Sequence, residues 1–242
     1  MDPPARTPPD VLRGFRIGVT SDRRSADLIA ALERRGAQVL HAPALTIAPN
    51  DQDDSLIIET RRLIAARPEV VLVTTGYGMR RWLEAADAAG LGAELTAALE
   101  RARIFARGPK AHGAVRAAGL LDAQTSDLDT TASLVDAVIA AGLPGRRVAV
   151  QLHGYTDKIA LTRLAEFNDC VMTVTPYRWV RPNPPDRLTR LIKAACQRKL
   201  EALTFTSAPA AAATLEAAEA LGVRESSSRP IRTMWRVPPS DR

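Results

Sequence analysis

The apolar run Val70-Val71-Leu72-Val73 stops at Thr74-Thr75-Gly76-Tyr77-Gly78, and the chain then changes at once to helical spacing. Trp82, Leu83, Ala86 and Ala89 fall along one helical face. A strand that is apolar at every position is buried on both sides. Parallel strands beneath helices meet that condition, and half-exposed antiparallel ones do not. The feature predicts a parallel strand over 70–74 that opens through two hydroxyls into a helix. In open α/β sheets ligands bind outside such strand ends, where backbone N–H groups and short polar side chains face the crevice.

The construction occurs twice. Thr204-Phe205-Thr206-Ser207-Ala208-Pro209 again ends a short strand in two hydroxyls and enters a small-residue helix, 210–221, closed by Gly222. Thr74 and Thr206 stand 132 positions apart. The strand-like stretches 14–20 and 145–151 stand 131 apart, and the strands that follow them, 37–41 and 170–174, keep nearly the same spacing. Agreement between independent pairs points to an internal duplication of βα units, in two copies rather than as a solenoid.

Strands and helices alternate along most of the chain, so the fold class is α/β with parallel sheets covered by helices. Residues 1–12 are rich in proline and charge and are expected to be irregular. Ser21 or Asp22 is the expected cap of the first helix. Two segments rich in proline and polar residues, 48–53 and 176–185, interrupt the alternation and read as linkers. Three pieces and two copies fit best if one domain is discontinuous. The expected arrangement is two parallel-sheet domains joined by a two-segment linker: 13–48 with 176–242 as the first domain, and 49–175 as the second.

Composition narrows the function. Of 242 residues, 46% are hydrophobic, enough for substantial cores, yet no apolar run is long enough to cross a bilayer. Met1-Asp2-Pro3-Pro4 does not open a leader peptide, and the expected compartment is the cytoplasm. Cys170 and Cys196 lack metal spacing and read as small apolar residues of a reducing compartment. The net charge of +6 suggests an anionic partner, but the arginines are scattered over several helices and aromatics are only 4%. That argues against a nucleic-acid platform and for a polyanionic small molecule. His41, His112 and His153 show no metal spacing, and there is no P-loop, Gly-x-Gly-x-x-Gly or Ser-His-Asp order.

An ordered set of short motifs carries a resemblance. Val19-Thr20, Val73-Thr74-Thr75, Gly108-Pro109-Lys110, Val174-Thr175-Pro176-Tyr177-Arg178 and Thr204-Phe205-Thr206-Ser207 follow one another across residues 14–223. In this order and with these linkers the chain resembles the uroporphyrinogen-III synthase family. The resemblance implies two α/β domains with a tetrapyrrole bound between them. It implies cyclisation of hydroxymethylbilane to uroporphyrinogen III with inversion of ring D, a step of haem, sirohaem and cobalamin biosynthesis. No cofactor or metal is implied. The expected partner is a carboxylate-rich tetrapyrrole, with no membrane, no direct nucleic-acid binding and a monomeric chain. Holding a flexible bilane folded is a proximity effect worth about 7–11 kcal/mol in favourable cases.

The resemblance also implies roles. Tyr177 matches the family's linker tyrosine and is the expected catalytic residue, a proton donor to the departing hydroxyl. Thr20, Thr75, Gly76, Gly108, Lys110, His153, Gly154, Thr206 and Ser207 are the expected substrate-binding residues. Thr75 and Ser207 are also natural helix caps. The family usually carries threonine after Gly-Pro-Lys, where this chain has Ala111 followed by His112, so a ligand hydroxyl is expected to be missing. The 132-residue spacing would put a second Gly-Pro-Lys element near residue 240, and the discontinuous domain is expected to end short of its last strand–turn–helix units. The tail 224–242 is expected to be irregular, or at most one strand. These departures favour an alternative function: a non-catalytic, ligand-sensing domain of a transcriptional regulator, without its DNA-binding part.

Overall fold

The structure is a computed structural model that describes residues 10–48, 53–120, 123–154 and 157–222. Most of the first linker and the tail 224–242 lie outside the described residues. The chain divides into two compact units, one built from residues up to Thr46 and from Arg181 onward, the other from Ile47 to Val180.

The second unit holds a five-stranded parallel sheet. Its strands are β4 (Val70–Val73), β5 (Arg103–Ala106), β6 (Gln124–Thr125), β7 (Arg147–Gln151) and β8 (Cys170–Val174), in the order β6-β5-β4-β7-β8. Its helices are α2 (Asp53–Ala66), α3 (Gly76–Ala88), α4 (Gly92–Glu100), α5 (Gly108–Ala117), α6 (Thr131–Ala140) and α7 (Lys158–Phe167). β4 is buried at every position, as its sequence predicts. Its residues alternate between two cores: Val71 and Val73 pack with residues of α2, α3, α4 and α5, and Val70 and Leu72 with residues of α6 and α7. Each such side chain taken fully from water contributes about 1.5–3 kcal/mol.

The first unit holds β1 (Arg16–Val19), β2 (Gln38–His41) and β10 (Ala202–Thr204) in the parallel order β10-β1-β2, with α1 (Ser25–Glu33), α8 (Asp186–Cys196) and α9 (Ala208–Ala220). This order repeats β4-β7-β8. The strands that the 131–132 spacing pairs occupy equivalent places in the two sheets. The first unit's core is thinner, formed largely by Ala42, Ala44, Leu188, Leu191, Ile192, Ala210 and Ala213, and α1 buries no residue completely. β10 is half-exposed to exposed where β4 is wholly buried. Amides of β10 should therefore exchange with solvent faster than those of β4, and equal protection by native-state exchange would contradict this.

Where the chain passes from one unit into the other, β3 (Thr46–Ile47) and β9 (Trp179–Val180) pair as a two-stranded sheet. The division falls at 46/47 and 180/181, against the expected 48/49 and 175/176. The shift at the second boundary has a physical cause: the rings of Tyr177 and Trp179 pack within the second unit. Smaller differences also have causes. The helix α1 is preceded by Arg24 in a left-handed conformation with no side-chain cap, and the nearby hydroxyl of Ser25 donates back to the Asp22 carbonyl at 2.8 Å. Neither Ser21 nor Asp22 caps it. Cys170 and Cys196 are exposed and unbonded to each other, at a strand start and a helix end, rather than packed as small apolar residues. Among the described residues, no helix is long and apolar enough to cross a membrane.

Candidate active site

In the second unit the chain leaves β4 toward β5 and β6, then returns to lay β7 and β8 on the other side. The crossover lies between β4 and β7, and a crevice outside their C-terminal ends is the natural ligand position in such a sheet. Thr75 follows β4, Arg107-Gly108 follows β5, His153-Gly154 follows β7, and Tyr177 follows β8. The expected residues Thr75, Gly76, Gly108, Lys110, His153, Gly154 and Tyr177 thus come together at one end of one sheet.

Thr75 is in extended conformation at the start of α3, and its hydroxyl accepts from the Gly78 N–H at 3.1 Å as the helix cap. The same hydroxyl lies 3.4 Å from the phenol oxygen of Tyr177. Tyr177 is 7% exposed and sits between two rings, edge-on to Tyr77 at 5.0 Å and to Trp179 at 5.7 Å. The Trp179 indole N–H donates to the His153 carbonyl at 3.2 Å. The backbone leading to Tyr177 is held by side chains of the same unit. Arg81 Nε donates to the Pro176 carbonyl at 2.8 Å, and the Thr175 N–H donates to Glu59 at 2.8 Å. A linker tyrosine is thereby fixed as firmly as a core residue.

Two glycines are required by close approach. A Cβ on Gly76 would stand 2.3 Å from the Lys110 carbonyl oxygen, so the absence of a side chain lets the first turns of α3 and α5 touch. Gly154 has φ +76°, and a Cβ there would stand 2.6 Å from the Trp179 ring. The Lys110 residue itself is exposed.

Arg107 is not singled out by the sequence, although an arginine leaving an apolar strand just before Gly-Pro-Lys is a signal in retrospect. It is half-buried, donates to the Thr131 hydroxyl at 3.3 Å, and precedes α5, whose N-terminus has no side-chain cap. Burial pulls its guanidinium below the ordinary arginine range, while Tyr177 and Asp129 oppose that shift. An uncapped helix start beside a cation suits a carboxylate. His153, by contrast, is not a cation here. Burial, reinforced by the charge of Arg107 and opposed by Asp157, lowers its imidazole to about 4. It is neutral at pH 7 and offers a hydrogen-bonding ring.

The lowered imidazole has a measurable consequence. As pH falls below 6.5, the unfolded chain binds a proton that the folded site resists until about pH 4. Stability present above pH 6.5 is lost across that window. The His153 ring resonance should titrate near pH 4, and His153→Gln should flatten part of the stability loss; a midpoint near 6.5 would contradict the burial account.

The expected residues Thr20, Thr206 and Ser207 belong to the first unit. Ser207 caps α9 through the Ala210 N–H, the counterpart of Thr75 in α3. Thr206 is exposed at the end of β10. Thr20 is fully buried, and its hydroxyl donates to the Thr204 carbonyl at 2.7 Å, so it ties two strand ends together. Ala111 corrects another expectation. It is 1% exposed within the core against α3 and β4, so its missing hydroxyl leaves no gap on an open surface.

Comparison with known proteins agrees with this geometry. Residues 26–232 match the family described as uroporphyrinogen-III synthase HemD. The chain is similar to the crystal structure of a mutant uroporphyrinogen III synthase from the extremely thermophilic bacterium Thermus thermophilus, with 28% identity and a TM-score of 0.75, over 88% of this chain and 81% of that one. The wild-type enzyme from the same organism aligns with 29% identity and a TM-score of 0.63, over 88% and 80%. An uncharacterized Bacillus subtilis protein, YjjA, is 24% identical over 81% of this chain and 72% of its own length.

Proposed function

The chain belongs to the uroporphyrinogen-III synthase family, and from that premise we propose that it cyclises hydroxymethylbilane to uroporphyrinogen III with inversion of ring D. The observation that carries this reading is the Tyr177 phenol held 3.4 Å from the Thr75 hydroxyl at the crossover end of the sheet. Tyr177 donates a proton to the hydroxyl of the bilane as it leaves as water, and the remaining carbon becomes an azafulvene-type electrophile. Ring D then closes on it through a spiro intermediate. Arg107, the N–H groups that open α3 and α5, and the exposed Lys110 supply positive potential for substrate carboxylates.

The ligand-sensing alternative leans on the missing hydroxyl at Ala111, and the burial of that side chain removes this support. One assay separates the two readings. Purified protein given freshly prepared hydroxymethylbilane should yield the type III isomer faster than the spontaneous type I forms. A product mixture no different from the protein-free reaction would overturn the assignment.

A further inference from the structure

The side chain of Gln151 is wholly buried at the last position of β7, among residues that are otherwise apolar. A buried amide is retained only where its polar atoms are used. Here its Oε1 accepts from the Thr75 N–H at 3.2 Å and its Nε2 donates to the Leu152 carbonyl, while its backbone carbonyl accepts from the Thr74 hydroxyl at 2.7 Å. One residue of β7 thereby grips both threonines that end β4, across the crossover.

The first turn of α3 is shaped around that amide. A Cβ on Gly78 would stand 2.1 Å from Gln151 Nε2 and 2.8 Å from the Thr75 hydroxyl oxygen. Gly78 therefore has no side chain because the amide fills the space, and its N–H in turn fixes the Thr75 hydroxyl. At 3.4 Å the contact from that hydroxyl to Tyr177 is already long, so a small displacement of Thr75 breaks it.

We propose that Gln151 is a positioning residue, which, by holding the Thr75 backbone, sets the Thr75 hydroxyl against the Tyr177 phenol and so governs that phenol's proton. The inference rests on the synthase reading for its effect on turnover, but not for its effect on Tyr177 itself. No part of Gln151 touches the reacting atoms.

The test uses Q151L, Q151E and G78A in the full chain. Phenol ionisation of Tyr177 is read by ultraviolet titration against a Y177F reference, and kcat and KM by type III product. In Q151L the hydroxyl no longer supports the phenolate, so the Tyr177 titration moves to higher pH. The kcat falls about 10- to 100-fold while KM stays within about twofold. G78A, whose Cβ displaces the amide, reproduces both effects. Q151E carries the sharper signature: a buried carboxyl resists ionisation, and its protonated form offers the same acceptor and donor as the amide. Its kcat approaches wild type at the acidic end and falls as the carboxylate forms, a dependence that a merely structural role would not show. A folded Q151L with unchanged phenol titration and kcat would overturn the proposal. If Q151L does not fold, a pH profile of Q151E parallel to wild type overturns it instead. Should the wild-type protein make no type III product, the functional reading fails, and the phenol titration still decides the role of Gln151.

Discussion

Tyr177→Phe should leave the protein folded and reduce type III formation about 10²- to 10⁴-fold, the usual contribution of a positioned proton donor. Only the phenol oxygen is removed. The ring stays in its edge-on contacts with Tyr77 and Trp179, so the site keeps its shape and KM should move little. The hydroxyl of Thr75 keeps its cap bond to Gly78 and loses only its 3.4 Å neighbour. Thr75→Ser retains both hydroxyl functions and should stay near wild type, whereas Thr75→Ala also loses a helix cap worth about 1 kcal/mol. Full type III activity in the phenylalanine variant would show that Tyr177 is a packing residue and that the proton comes from elsewhere.

Trp82→Ala should cost the second unit about 3–5 kcal/mol, a large share of the stability of a natural domain. Trp82 is fully buried in the centre of α3, and its indole N–H donates to the Thr60 hydroxyl at 2.9 Å, which passes its own proton to the Leu56 carbonyl at 2.7 Å. The ring thus joins α3 to α2 by both packing and hydrogen bonding. Trp82→Phe keeps most of the volume and loses the N–H, so it should cost about 1 kcal/mol. Denaturant unfolding monitored on this unit should order the three proteins as wild type, phenylalanine, alanine. The alanine variant should also lose activity beyond its unfolded fraction, because α3 carries Thr75 and Tyr77 at its start. Midpoints that coincide would place the anchoring of α3 elsewhere.

What the sequence made legible depended on how local the cause was. The strands over 147–151 and 170–174 fall where their periodicity puts them, and Val70–Val73 is buried as a continuous apolar run must be. Thr75 and Ser207 could be read as caps because a cap acts over three residues. Gln151 could not, since its partner Thr75 is 76 positions away and its burial follows from sheet order alone. Arg107 is similar: its partner Thr131 is 24 positions distant, and nothing in the local pattern shows that the side chain turns inward. Tyr177 was visible as a residue but its allegiance was not. A proline-rich stretch reads as open linker until Arg81 and Glu59 are seen gripping its backbone. β6 spans only two exposed residues, too few for any periodicity to mark it.

The interleaving of the two units has a consequence for the chain as it is made. Every strand of the five-stranded sheet lies between residues 70 and 174, so that unit can close once its own segment has emerged from the ribosome. β1 emerges earlier but is the middle strand of its sheet, and the Thr20 hydroxyl meets the Thr204 carbonyl across a sequence separation of 184. Until β10 is translated, β1 can pair with β2 alone, with its other edge exposed during synthesis of the whole inserted unit. An open parallel edge of this kind invites wrong partners. Translation order therefore makes the inserted unit first to mature, and leaves the earliest-made strand as the last to be completed.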